Sequence, residues 1–123
     1  MGTLVPHLLF RADPGASPAV ALLRSAGYMV SKVDDDDLVE QIAGDDHVDG
    51  LIIELPTLAA IAVGRRIEAR YGHSVVVVVI TQAPDAVRRS LPSAHTIRPA
   101  DVEDDLISTI DLALVAHQMQ RTG

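Results

Sequence analysis

Val48-Asp49-Gly50-Leu51-Ile52-Ile53-Glu54-Leu55-Pro56 decides how the chain is read. Three apolar residues, two of them β-branched, run into a lone carboxylate, and the chain then turns at proline. Such a run, closed by Pro, is expected as a strand buried on both faces. Glu54 then stands at its carboxyl end, the edge of an open α/β sheet where ligands and chemistry gather. The function therefore turns on Glu54, and the plain alternative is a solvated rim carboxylate.

Working outward, strand-like and helix-like stretches alternate. Leu4 to Phe10 is apolar but interrupted by Pro6 and His7, so His7–Phe10 is expected as the first strand, with Arg11-Ala12-Asp13-Pro14-Gly15 as a loop. Ser17-Pro18 reads as a helix start, with Ser capping free amides and Pro at the first helical position. Val20, Leu22, Leu23 and Ala26 would form its packing face and Gly27 its stop. Tyr28–Val33 is expected as a more exposed second strand. Asp34 to Asp37 invite a metal-binding reading, but acids at a helix start are stabilised by the helix dipole and can cap it. Leu38, Val39 and Ile42 continue that helix up to Gly44.

After Pro56, Thr57 is expected to cap a helix over 58–70, with Leu58, Ile61, Ala62 and Ile67 inward and Gly72 as its stop. Ser74 to Ile80 contains five consecutive valines and predicts a central strand buried on both faces, ending at Thr81. Residues 85–91 allow two helical turns, Ala94–Ile97 a short fifth strand before Arg98-Pro99, and the last helix runs from about Asp101 to Gln120. Five strand–helix units predict one doubly wound α/β sheet with right-handed crossovers, a single domain over residues 1–123.

Composition fits this frame. Of 123 residues nearly half are hydrophobic, yet the only aromatics are Phe10, Tyr28 and Tyr71, so the core must be aliphatic. Without cysteine, disulfides and thiolate metal sites are excluded. The longest apolar run is too short to cross a bilayer. The Met1-Gly2-Thr3 start lacks a charged n-region and a cleavage site, so no signal peptide is expected and a cytoplasmic protein is. A net charge of −7 argues against direct nucleic-acid binding.

With its strand ends placed, the chain resembles, over essentially its whole length, the receiver domains of bacterial response regulators. The resemblance implies a flavodoxin-like three-layer sandwich with strand order 2-1-3-4-5. It also implies an acidic pair after strand one, a phosphorylated aspartate after strand three, a Ser or Thr ending strand four and a Lys-Pro pair ending strand five. Here Arg11 and Ala12 stand at the acidic pair, with Asp13 the surviving neighbour, and Glu54 stands at the phosphoacceptor position. Thr81 fits the switch hydroxyl, and Arg98-Pro99 replaces Lys-Pro. The short span from Thr81 to Arg98 implies a shortened fourth helix.

Family members use Mg²⁺ bound by the acids. Mg²⁺ needs near-octahedral oxygen ligands. Like unit charges about 4 Å apart repel by roughly 4 kcal/mol at an effective dielectric of about 20, and a dication beside Arg11 would face about twice that. Glu54 is also a methylene longer than aspartate, and misplacement by about 1 Å can cost on the order of 100-fold in rate. The expectation is a degenerate, non-enzymatic receiver without metal or cofactor. In it Glu54 would pair with Arg11, Arg98 or both, with Thr81 adding a hydrogen bond.

The last helix adds a second clue. Val102, Leu106, Ile107, Ile110, Ala113 and Leu114 lie on one side and should pack on the sheet. Leu112, Val115, Ala116 and Met119 fall on the opposite side, and an apolar stripe there suggests a partner. A homodimer through this helix, or contact with another signalling protein, is expected. The histidines, His7, His47, His73, His95 and His117, lack the i, i+4 spacing of a helical zinc motif and read as surface or strand-end residues. No nucleophile elbow, P-loop or dinucleotide fingerprint is present. Arg65-Arg66 and Arg88-Arg89 read as solvated helix residues. The leading function is signalling by protein contacts, independent of aspartyl phosphorylation. An active phosphoacceptor receiver is the first alternative, and a small flavodoxin-like ligand-binding protein or enzyme the second.

Overall fold

Gly50–Glu54 is the central strand β3 of a computed structural model that describes residues 5–122 apart from 14, 16, 44–47 and 73. Around it the chain runs β1 (His7–Ala12), α1 (Pro18–Ser25), β2 (Met29–Val33), α2 (Asp36–Ala43), β3, α3 (Thr57–Tyr71), β4 (Val76–Ile80), α4 (Pro84–Ser90) and β5 (His95–Ile97). A 3-10 turn (Pro99–Asp101) leads into α5 (Val102–Thr122). All strand pairs are parallel, in the order β2-β1-β3-β4-β5. This is the expected doubly wound α/β sandwich, and α4, at seven residues, is short.

Side chains alternate across the sheet because the strand period is two. Leu8, Phe10 and Ile52 meet Leu23 of α1 and Leu106 and Ile110 of α5 on one face. Leu9, Leu51, Ile53 and Val79 meet Val39, Val63 and Val87 of the other helical layer. This aliphatic filling is what a chain so poor in aromatics requires. No helix among the described residues is long and apolar enough to cross a membrane.

Several local expectations are corrected. Arg11 and Ala12 belong to β1 rather than to a loop, because both register against β3, at Ile53 and Glu54. Thr57 is the first residue of α3, and Pro56, which offers no side-chain cap, holds the N-cap position. The stripe that packs on the sheet is Ala60, Val63, Gly64 and Ile67, at i, i+3, i+4 and i+7, so these are buried while Leu58 is 83% exposed and Ala62 is also outside. In α1 the buried residues are Ala19, Val20 and Leu23, and Ala26 is exposed. Asp35 does cap α2, its Oδ1 accepting from the Asp37 N–H at 2.8 Å. The expected helix stop at Gly44 lies outside the described residues, as do His47 and His73.

One further difference lies in β4. Its valines were expected to be buried throughout, yet Val76 and Val77 are only half-buried. The cause is the brevity of β5, whose three residues register with Val78, Val79 and Ile80 and leave the start of β4 without a neighbour on that side.

Candidate functional site

Register and alternation decide which side chains can meet at the carboxyl edge. Ala12 lies beside Glu54, and Arg11 beside Ile53. Glu54 follows Gly50 and Ile52 in phase and so belongs to the face covered by α1 and α5. Arg11 follows Leu9 and belongs to the opposite face.

The contacts agree with this parity. The Ser17 hydroxyl, at the start of α1, donates to Glu54 Oε1 at 2.9 Å. Arg11 Nε donates to Asp36 Oδ1 at 2.5 Å, and Nη1 to the Ala12 carbonyl at 2.9 Å. The Arg11 side chain is 12% exposed, so its guanidinium is largely withdrawn from water. Glu54 forms no ion pair with Arg11 or Arg98 among the described residues. The expected Glu54–arginine network is therefore corrected, because a strand places neighbours of odd and even phase on different faces.

Thr81 is buried at the end of β4. Its N–H donates to the Ile97 carbonyl at 2.9 Å, and its Oγ1 accepts from the Ala83 N–H at 3.0 Å. The hydroxyl thus closes the turn into α4 instead of reaching Glu54. Glu54, Thr81 and Pro99 nonetheless line one crevice of about 290 Å³, together with Pro56, Thr57 and Gln82. Arg98 is exposed and lines a different, polar crevice with Arg88, Asp101 and Asp105. Asp13 is exposed just past the end of β1.

The donor set does not fit the Mg²⁺ that receivers employ. At the position beside Glu54 there is a methyl group, and the Glu54 carboxylate already accepts from Ser17. Among the described residues no group of three or more His, Asp or Glu side chains is placed to hold a metal. The obstacle differs from the expected one: Arg11 is turned away, and what disfavours a dication is the missing carboxylate.

Ser17 and Asp36 are partners that were not anticipated. Ser17 occupies the N-cap position of α1 yet makes no side-chain cap, because its hydroxyl is committed to Glu54. The period of two, carried one step past Phe10, would have placed Arg11 on the α2 face and pointed to the acidic run there. A second cation, Arg66 of α3, donates to Asp37 Oδ1 and to Glu40 Oε2 at 2.9 Å, and these two acids raise its pKa above the ordinary arginine value. On α5, Leu112, Val115 and Met119 are 71%, 54% and 67% exposed, while of the expected sheet-facing residues Val102, Leu106, Ile110, Ala113 and Leu114 are buried and Ile107 is half-buried.

No family model and no curated protein matches the chain. Solved structures do. The signal receiver domain of an HD domain-containing protein from Pseudomonas fluorescens Pf-5 superposes with a TM-score of 0.76 at 17% identity, covering 99% of this chain and 96% of that one. The fold is that of a receiver domain. An uncharacterized protein from Neptuniibacter caesariensis superposes with a TM-score of 0.73, also at 17% identity, over 94% of this chain and 92% of its own. The receiver-like frame is thus present in full, and the residues at its carboxyl edge are this chain's own.

Proposed function

We propose that this receiver-like domain is degenerate and signals through protein contacts, independently of aspartyl phosphorylation, without enzymatic activity, metal or cofactor, in the cytoplasm. The observation that carries the reading is the local environment of Glu54. A receiver needs clustered carboxylates to hold the cation that neutralises a transferring phosphoryl group. Here Ala12 flanks Glu54, Ser17 occupies one of its oxygens, and Thr81 is engaged in its own turn. The edge is held together as structure. Its contacts link β3 to α1 and β1 to α2, and so favour one fixed arrangement over a switch.

Output then depends on shape. The exposed α5 residues Leu112, Val115, Ala116 and Met119 supply an apolar surface suited to a second copy or to another signalling protein. The deciding experiment is a titration of Mg²⁺ with beryllofluoride, followed by amide NMR. The expected outcome is no saturable shift at Ala12, Glu54 or Thr81. Saturable shifts there would replace this reading with an active phosphoacceptor.

A further inference from the structure

The uncovered start of β4 opens into a cleft of about 420 Å³, within the range of small-ligand pockets. It lies at the β5 edge of the sheet, at the end opposite Glu54, between the two helical layers. Gly64 and Leu91 contribute from one layer and Ala113 and Ala116 from the other. Leu91 is packed over Gly64, and beyond it the small Ala94 and Ala116 leave a slot that continues the plane of the sheet.

The backbone at the back of this slot has a definite hydrogen-bonding pattern. The Val76 N–H donates to the Asp49 carbonyl, toward β3. Because a trans peptide is planar, the Val75 carbonyl points the opposite way, into the slot. Amides alternate along a strand, so the Val77 N–H points into the slot as well. The same parity holds further up, where the Thr81 N–H donates to Ile97 of β5. Since β5 begins at His95, opposite Val78, it starts too late to accept from Val77. The preceding loop closes on itself, the Ala94 N–H donating to the Leu91 carbonyl. An acceptor and a donor thus stand side by side in a partly enclosed cleft, with no partner among the described residues. Paired backbone groups are the rule in such surroundings.

We propose that this cleft binds a neutral purine nucleoside or base. A flat heterocycle entering edge-on extends the sheet plane, with its faces against Ala94 and Ala116. The adenine edge offers an amino N–H to the Val75 carbonyl and a ring nitrogen to the Val77 N–H. An extended peptide presents the same pair of groups, but an open edge of two residues gives it too few ladder bonds for strand addition. His95, His117 and Ser93 at the mouth are suited to ribose hydroxyls. Glu68, also at the cleft, and the net charge of −7 disfavour a phosphate tail. The site is independent of Glu54 and touches the signalling reading above only at Ala116, which also belongs to the exposed α5 surface.

Amide NMR of the intact chain with adenosine as probe tests this. The expected result is saturable shifts at Val77, His95 and Ala116. N6,N6-dimethyladenosine, which lacks the amino donor, should bind about tenfold more weakly, the effect of one lost hydrogen bond. Adenosine 5′-monophosphate should bind no better than adenosine. In Ala116→Trp, which fills the slot from an exposed helix position, the shifts should vanish while spectral dispersion is kept. The analogue comparison uses the unmodified chain and decides the matter whatever that variant does. Absence of saturable shifts with adenosine up to its solubility limit overturns the proposal, as does equal binding of the dimethyl analogue. If acetyl-valyl-alanine amide shifts these residues and adenosine does not, the slot is a peptide site and the purine assignment fails.

Discussion

Arg11 and Glu54 stand one register step apart on adjacent strands and point to opposite faces of the sheet. Two polar ties at the same edge are therefore separate, one joining β1 to α2 and the other β3 to α1. Groups that share no partner contribute additively to stability, whereas direct partners couple.

It follows that Arg11→Met and Glu54→Ala should add to within about 0.5 kcal/mol in urea unfolding. Asp36→Ala should cost about 2–3 kcal/mol, because it strands a largely buried guanidinium. Combining it with Arg11→Met should recover part of that loss. Ser17→Ala should cost about 1 kcal/mol alone and almost nothing once Glu54 is Ala. A strong coupling between Arg11 and Glu54 would contradict the separation of the two faces.

The missing carboxylate, and not the arginine, is what disfavours Mg²⁺. Ala12→Asp combined with Glu54→Asp should therefore bind Mg²⁺ more tightly than the natural chain. Its cost in stability is expected, because Ala12 is 4% exposed and the new acid is desolvated. The readout is the rise in melting temperature with Mg²⁺, which follows ligand linkage. The doubly substituted protein should rise and the natural chain should not. An equal rise in both would show that the existing edge already holds the ion.

The phase of α3 gives a sharper test of packing. Leu58→Lys should change stability by no more than about 0.5 kcal/mol, as expected of a surface position. Ile67→Ala, at a residue 1% exposed, should cost about 2–5 kcal/mol. Comparable losses from both would mean that Leu58 is covered in solution.

These contrasts show where sequence reading succeeds. Apolar runs such as Ile52-Ile53 and the five valines locate the strands, because burial on both faces leaves few other uses for them. Strand order follows from the receiver resemblance, and the superposed receiver domain agrees with it. Contacts at the edge are harder to read, because they depend on where a strand stops. Ending the first strand at Phe10 freed Arg11 to reach Glu54; two more residues of ladder turned it to Asp36. Similarly, Leu58 is apolar enough to suggest burial, but the stripe of α3 that packs is Ala60, Val63, Gly64 and Ile67, and Leu58 lies off it. The half-exposed Val76 and Val77 follow from the length of β5, a property of a different segment.

The exposed side of α5 offers the last prediction. Leu112 and Val115 sit in the middle of the helix, well away from its acidic first turn of Glu103, Asp104 and Asp105. Two copies packed in parallel along α5 would bring six carboxylates together, and like charges repel. An antiparallel pair, crossing near Leu112 and Val115, keeps those turns apart and remains self-complementary, as a two-fold interface requires. Raising salt screens the residual repulsion and should strengthen the dimer, since apolar burial is left intact. Sedimentation should therefore show association that increases with salt in the natural chain. Leu112→Lys with Val115→Lys should give a monomer whose circular dichroism is unchanged, since both side chains already face water in the single copy. A natural chain that stays monomeric at high concentration in high salt would assign the stripe to a different protein, and α5 would then be a receptor surface, not a dimer seam.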